Sequence, residues 1–429
     1  TEIYTLSLHD ALPISMNPMT YAGGMDVSIY LNRNFAPLEE RLKSIINIEN
    51  SAPVFFSVAK SNLADSLAKP LIETAIQIAN GSAEFLGSDL IVALEEVEND
   101  SLMGVFKTAN DKAISELKSF AEYLEKEKLP KSHNNFALGR EKYQKMLFNG
   151  EGISLPPEKI LEIGLEELAR EQDVFNTTAN IINPNKKPIE VYEDLQKEHP
   201  TAVNLIPDVS KKVEAIRQFI IDKQIVTIPL EAHIQVRETP KFARSTSTAG
   251  MVPPGPCETK ATEAYFYITP VDPKWSAKQK EDWLSMFDSF STDIITIHEV
   301  YPGHYTQFIH INLSSASKIE KIFYSYAYME GWAHYCEKMM IDEGYGISID
   351  SIETAKYRLA QSGGALLRLC RLCVSIKMHC EGMSVDDATK FFMDNWYHGE
   401  KPSQREAIRG TDRESTRLNS SHRKRSRMP

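Results

Sequence analysis

No run of 18 or more apolar residues occurs in the 429-residue chain, so no segment is long and apolar enough to cross a bilayer as a helix. Five cysteines in that length supply no disulfide framework. Cys370 and Cys373 have the spacing of half a zinc ribbon, but a second pair is missing. Both fall, with Cys380 beyond them, in an apolar helical pattern beside Leu366, Leu369 and Leu372, where thiols pack as small hydrophobes. Acidic charge exceeds basic, with 59 Asp and Glu against 48 Lys and Arg, and the formal net charge is −11. Phosphate binding needs clustered Lys and Arg, so the balance argues against a nucleic-acid partner. The paired Glu-x-x-His motifs of dinuclear carboxylate sites are absent too.

The two ends differ from the body. Residues 1–15 (TEIYTLSLHDALPIS) and 413–429 (RESTRLNSSHRKRSRMP) read as artefactual extensions, of the kind left by sequencing-adaptor read-through in assembled genes. Setting aside the two acidic residues of the first and the net five positive charges of the second takes the charge from −11 to −14. The basic run at 423–427 is therefore not a nuclear signal. With the start of the chain set aside, cytoplasmic, periplasmic and secreted locations all stay open, as does the oligomeric state.

Residues 16–223 read as a helical scaffold, with apolar residues three and four apart: Leu38, Leu42, Ile45 and Ile46; Ile114, Leu117, Ala121 and Leu124; Leu161, Leu165 and Leu168; Val213, Ile216 and Ile220. Breakers at Gly150-Glu151-Gly152 with Pro156-Pro157, and at Asn183-Pro184-Asn185 with Pro188, separate the helices. Residues 224–412 read as a catalytic region in the same continuous domain. Segments 225–230, 232–239 and 264–269 are short and rich in β-branched and aromatic residues, which predicts a small sheet. The stretch 245–256, STSTAGMVPPGP, reads as an irregular loop, either lining a cleft or serving as a surface connection with no role. From Ala277 helices return, and Trp283, Phe287, Phe290, Ile294 and Ile297 form one stripe leading into His298. The fold class is mainly α with a small β-sheet.

The string His298-Glu299-Val300-Tyr301-Pro302-Gly303-His304 departs from the usual zinc signature, His-Glu-x-x-His, whose ligands share a helix face. Six residues turn a regular helix by about 600°, which points His304 away from His298. Pro302 cannot bond back to the carbonyl of His298, and Gly303 eases a bend, so the helix must deform between the two imidazoles. Downstream, Glu330-Gly331-Trp332-Ala333-His334-Tyr335-Cys336-Glu337 places Glu330, His334 and Glu337 on one helix face. A polar stripe beside Phe323, Tyr326, Met329 and Met340 is costly unless something binds it. Glu330 is the predicted third metal ligand, and His334 and Glu337 are predicted to orient the ligands or contact substrate. His379 and Arg371, on the helix expected after Ser362-Gly363-Gly364, are candidates for oxyanion or carboxylate binding, with a structural role as the alternative. Tyr326 and Tyr328 read as core aromatics.

HEVYPGHYTQ and EGWAHYCE, at this spacing, closely resemble the bacterial family known as domain of unknown function 885, whose members look like relatives of the gluzincin metallopeptidases. The resemblance runs from NPMTYAGGMDVSIYLNRNFAPLEERL to EAIRGT. It implies a gluzincin-like helical fold, truncated here at both ends, with the C-terminal helix and its Tyr missing. It implies Zn2+ on His298, His304 and Glu330, with Glu299 as general base. The expected chemistry is hydrolysis of a peptide or small amide by metal-activated water, with His379 as oxyanion donor and an extended substrate paired to the sheet edge at 264–269. A zinc hydrolase of a non-peptide amide or ester, and a non-catalytic metal-stabilised protein, remain as alternatives.

Overall fold

The computed structural model describes residues 14–229, 233–240, 244, 248–258, 262–348 and 350–411. Of the two end segments set aside above, all but Ile14 and Ser15 lie outside these. The protein is mainly helical, with one three-stranded sheet among the described residues. It divides into two compact units, one essentially residues 1–150 and the other Glu151–Thr239 with Ser247–Arg423. The division falls at Gly150, where Gly and Pro interrupt the helices, and not at residue 223. The reason lies in helix Pro157–Ile182, grouped by sequence with the scaffold, which packs along helix Ser351–Cys380. Gly164 makes this approach close: a Cβ there would lie 3.1 Å from Cys373 Sγ and 3.2 Å from Leu372 Cδ2. Cys370 and Cys373 are buried and unbonded to each other, as packed thiols.

The first unit is a helical bundle. Helix Lys69–Gly87 turns Ile72, Ala75, Ala79, Ala83 and Leu86 inward, and helix Asp100–Tyr123 answers with Phe106, Ala109, Ala113, Leu117 and Phe120. Small residues facing large ones let the two helices approach closely. Helix Leu38–Asn50 adds Leu42, Ile45 and Ile46, and it also buries Glu49 completely. Among the described residues, neither carboxylate oxygen of Glu49 has a hydrogen-bond partner. Burial pushes its pKa up to about 8.

In the second unit the sheet order is β1-β3-β2, with β1 (Ile234–Glu238) parallel and β2 (Ala249–Val252) antiparallel to the central β3 (Ala264–Ile268). Two expectations change here. Residues 225–229 form no strand, while the stretch read as an irregular loop supplies β2. Met251 explains that: it is buried and sits opposite Phe266 across the ladder, and Pro253 and Pro254 end the strand behind it. Because β3 is paired on both sides, no substrate strand can add at 264–269. Ala264, Phe266 and Ile268 face the core, whereas Tyr265 and Tyr267 stack outside with ring centroids 5.4 Å apart. The stripe from Trp283 to Ile297 is interrupted as well. Helix Ala277–Leu284 ends, and Asp288 begins helix Ser289–Glu299 by accepting the N–H groups of Phe290 at 3.0 Å and Ser291 at 2.9 Å.

The buried carboxyl of Glu49 makes the first unit sensitive to alkali. In the unfolded chain it loses its proton near pH 4.5, and in the folded chain only near pH 8, so stability is full below the first value and falls as pH rises between them. The slope reaches up to about 1.4 kcal/mol per pH unit. Urea midpoints measured at pH 5 and pH 8 are expected to drop for the natural chain and to drop less for Glu49→Gln; equal drops contradict the assignment.

Candidate metal centre

His298 lies in the last turn of helix Ser289–Glu299, and His304 opens helix His304–Leu313. Between them the helix is broken outright. Val300 leaves helical geometry at φ −115°, ψ −85°, the Tyr301-Pro302 peptide is cis, and Gly303 folds back on the helix it has just left. The Gly303 N–H donates to Ile297 O at 3.1 Å, and the Thr306 N–H donates to Val300 O at 3.2 Å. A Cβ on Gly303 would lie 1.9 Å from His298 O and 2.5 Å from Ile297 O, so only glycine fits. The turn is fastened from outside too: Trp332 Nε1 donates to Pro302 O at 3.0 Å.

This break brings the two imidazoles together, edge to face, with centroids 4.7 Å apart. Glu330, on helix Tyr326–Asp342, faces both: its Oε2 lies 3.5 Å from His298 Nε2 and 3.8 Å from His304 Nε2. One ligand atom from each of the three falls within 4.8 Å of the others, and all three residues are buried. These separations exceed the roughly 2.7–2.9 Å of a charge-assisted hydrogen bond. They match the edge of a tetrahedron around zinc, about 3.3 Å for ligand bonds near 2.0–2.1 Å. Glu330 Oε1 is buried without a hydrogen bond. The donor set therefore fits a divalent cation better than it fits itself. Glu299 follows His298 directly and is 7% exposed.

Behind the cluster, Glu337 is fully buried and gathers three groups. Its Oε1 takes a hydrogen bond from His298 Nδ1 at 2.7 Å, its Oε2 lies 3.1 Å from His334 Nδ1, and Arg368 Nη2 is 2.9 Å from Oε1. Arg368 Nη2 also lies 3.3 Å from His298 Nδ1. A guanidinium only donates, and Nδ1 spends its proton on Glu337, so that closeness follows from sharing one carboxylate. The consequence for His298 is a fixed tautomer with Nε2 turned toward Glu330. Burial favours neutral Glu337, but Arg368, His334 and His298 outweigh it and hold the carboxylate well below its usual range. Glu330 is likewise held low against burial by His298 and His304. Burial lowers the His298 pKa, yet its contacts with Glu330 and Glu337 prevail and push it up to about 9. The pocket attracts positive charge.

The structure brings His298, His304, Glu330, His334 and Glu337 into one neighbourhood, with Glu299 adjacent to His298 in the chain, and it places His379 and Arg371 elsewhere. His379 is buried, its Nε2 lies 3.1 Å from Gly410 O, and burial lowers its pKa to about 4. It stands eleven residues, about 16 Å of helix rise, beyond Arg368. Arg371 forms a bidentate pair with Glu406 at 2.6 and 2.8 Å. Both are tied to the C-terminal helix Glu400–Gly410 or its end, which is a structural assignment for each. Tyr328 is 67% exposed and not in the core; Tyr326 is half-buried.

Sequence reading missed Arg368, because one arginine in an apolar helix looks like its neighbour three residues on. Its signal was Gly364, one turn earlier, where a Cβ would come within 3.0 Å of Arg368 Nη1. Gly363 likewise clears space for the Tyr192 ring, at 2.5 Å from a Cβ, so the glycine pair read as the start of a helix lies inside one that runs unbroken from Ser351 to Cys380. Asp293 was also missed. It accepts the hydroxyl proton of Tyr357 at 2.9 Å and pairs with Lys212 at 3.0 Å, clamping the helix that ends in His298.

The family model described as "Bacterial protein of unknown function (DUF885)" matches residues 5–414. The chain belongs to this family. No functionally curated protein matches it. Among solved structures, a candidate lipoprotein of unknown function from Shewanella oneidensis superposes with a TM-score of 0.72 at 24% identity, covering 92% of this chain and 72% of its own. A candidate lipoprotein from Colwellia psychrerythraea gives 0.69 at 18% identity, covering 91% and 69%. At these identities the likeness establishes the fold of the DUF885 chain and nothing about its chemistry.

Two outcomes follow for this DUF885 member. Gly303→Ala forces a backbone clash and is expected to cost about 3 kcal/mol or more in a denaturant titration. Glu337→Gln removes the support of His298 and is expected to weaken zinc binding about 10–100-fold in a competition assay with a chelating dye; unchanged affinity contradicts the role given to Glu337.

Proposed function

We propose that the protein is a zinc-dependent hydrolase, and that it acts as a metallopeptidase of gluzincin-like descent. The observation carrying this is the ligand count: among the described residues His298, His304 and Glu330 gather as a group of three and not four. Structural zinc sites are closed by four protein ligands, whereas catalytic sites use three and leave a position for water or substrate. A zinc ion held there supplies a Lewis acid for a scissile carbonyl and lowers the pKa of bound water toward about 7.

The protein's own groups do the rest. Glu299, next to His298 and nearly buried, is the proton acceptor for the attacking water and carries that proton to the leaving amine. Glu337 and Arg368 hold the His298 ring so that Nε2 points at the metal position. His334 replaces His379 as the side chain placed to meet developing negative charge. It stands one helical turn past Glu330 on the same face, is fixed through Nδ1 by Glu337, and remains 32% exposed. Peptide as the substrate rests on the resemblance of the two motifs to metallopeptidases.

Glu299→Gln tests the reading. Zinc content is expected to stay at one per chain while cleavage of a peptide library falls by about 10²–10⁴-fold. Retained activity removes Glu299 from the mechanism, and loss of zinc together with activity reassigns it to metal binding. Dialysis against a chelator is expected to abolish cleavage, with zinc restoring it.

A further inference from the structure

A row of half-buried rings leads away from the metal cluster. Phe308 stands one turn past His304, with ring centroids 6.3 Å apart; Tyr324 meets Phe308 edge to face at 5.7 Å; and Tyr326 lies 5.4 Å from Tyr324. Tyr326 is in turn one helical turn before Glu330 and on the same side of that helix. The row therefore starts on one ligand and ends beside another. The remainder of this helix face is closed: Met329, Glu330, Ala333 and Glu337 are buried, and the partly exposed positions flanking Glu330 are Tyr326 on one side and His334 on the other.

The rings are also held in place before anything binds. Ser325 donates its hydroxyl to Glu151 Oε2 at 2.7 Å, and the Ala327 N–H donates to the same oxygen at 2.9 Å. Ser325 Oγ then accepts the Tyr328 N–H at 3.1 Å and caps the helix. Half-exposed aromatic faces fixed in this way keep apolar area in water at a cost that an apolar group laid against them relieves.

We propose that Phe308, Tyr324 and Tyr326 form the subsite that receives an aromatic or large aliphatic side chain next to the bond cleaved. This rests on the hydrolase reading above and narrows its substrate class, since the three rings carry no counter-charge for an acidic side chain and offer it only the hydroxyls of Tyr324 and Tyr326. Tyr326 and Phe308 set the two ends of the subsite, and Tyr324 joins them.

The test is calorimetric titration of the zinc-loaded full chain with L-phenylalanine hydroxamate and L-alanine hydroxamate, which share a zinc-chelating group and differ in side chain. The phenylalanine compound is expected to bind at least about tenfold more tightly, the discrimination an apolar pocket gives. Phe308→Ala and Tyr326→Ala are each expected to shrink that ratio to within about threefold, by weakening the phenylalanine compound more than the alanine compound. Equal affinities in the natural chain overturn the subsite, whatever the variants do, and so does a ratio that survives all of Phe308→Ala, Tyr324→Leu and Tyr326→Ala. Cleavage of the peptide library is scored separately. Cleavage without the preference removes the subsite and keeps the hydrolase; the preference without cleavage keeps an aromatic-binding site and removes the hydrolase.

Discussion

Two carboxylates and two imidazoles are buried within a few ångströms of one another, and a low-dielectric interior tolerates that arrangement only if positive charge stands among them. Arg368 answers for Glu337. Glu330 draws its positive charge from His298 and His304, whose Nε2 atoms lie too far from it for strong hydrogen bonds. The elevated pKa of His298 expresses the same demand in the form of a proton. A divalent ion meets it with better geometry, because it draws on all three groups at once.

Much of the second unit is arranged to keep these groups in register. Helix Ser289–Glu299 is capped by Asp288 at one end and clamped by Asp293, Lys212 and Tyr357 along its side, so His298 is presented from a fixed rod. The break at Pro302 and Gly303 then turns the chain so that His304 begins the next helix beside it. Trp332, on the same helix as Glu330, holds the Pro302 carbonyl and thereby couples the turn to that helix. Helix Ser351–Cys380 supplies Arg368 from a fourth direction, and the small size of Gly364 gives its guanidinium room.

How much of this could be read from the residues depended on whether a local rule governed it. His298, His304 and Glu330 were legible because Pro302 and Gly303 forbid a straight helix and a polar face on an apolar helix needs a reason. The mainly helical fold followed from periodicity. The sheet was half legible: Met251 drew β2 out of a Pro-rich stretch by packing on Phe266, a tertiary gain that propensity does not register. His379 and Arg371 went astray because polar residues on one long helix are told apart only by what packs against them, and helix Glu400–Gly410 claims both. The unit boundary at Gly150 was likewise hidden, since helix Pro157–Ile182 finds its partner two hundred residues downstream.

The proposed function depends on one ion bound by two imidazoles and one carboxylate. X-ray absorption at the zinc edge, on the full chain loaded with one equivalent of zinc, addresses that claim directly. The expected result is a four-coordinate shell of nitrogen and oxygen near about 2.0–2.1 Å with outer-shell scattering from two histidines, and loss of one histidine contribution in His304→Ala. A sulfur shell, a six-oxygen shell, or a spectrum unchanged by His304→Ala would contradict it.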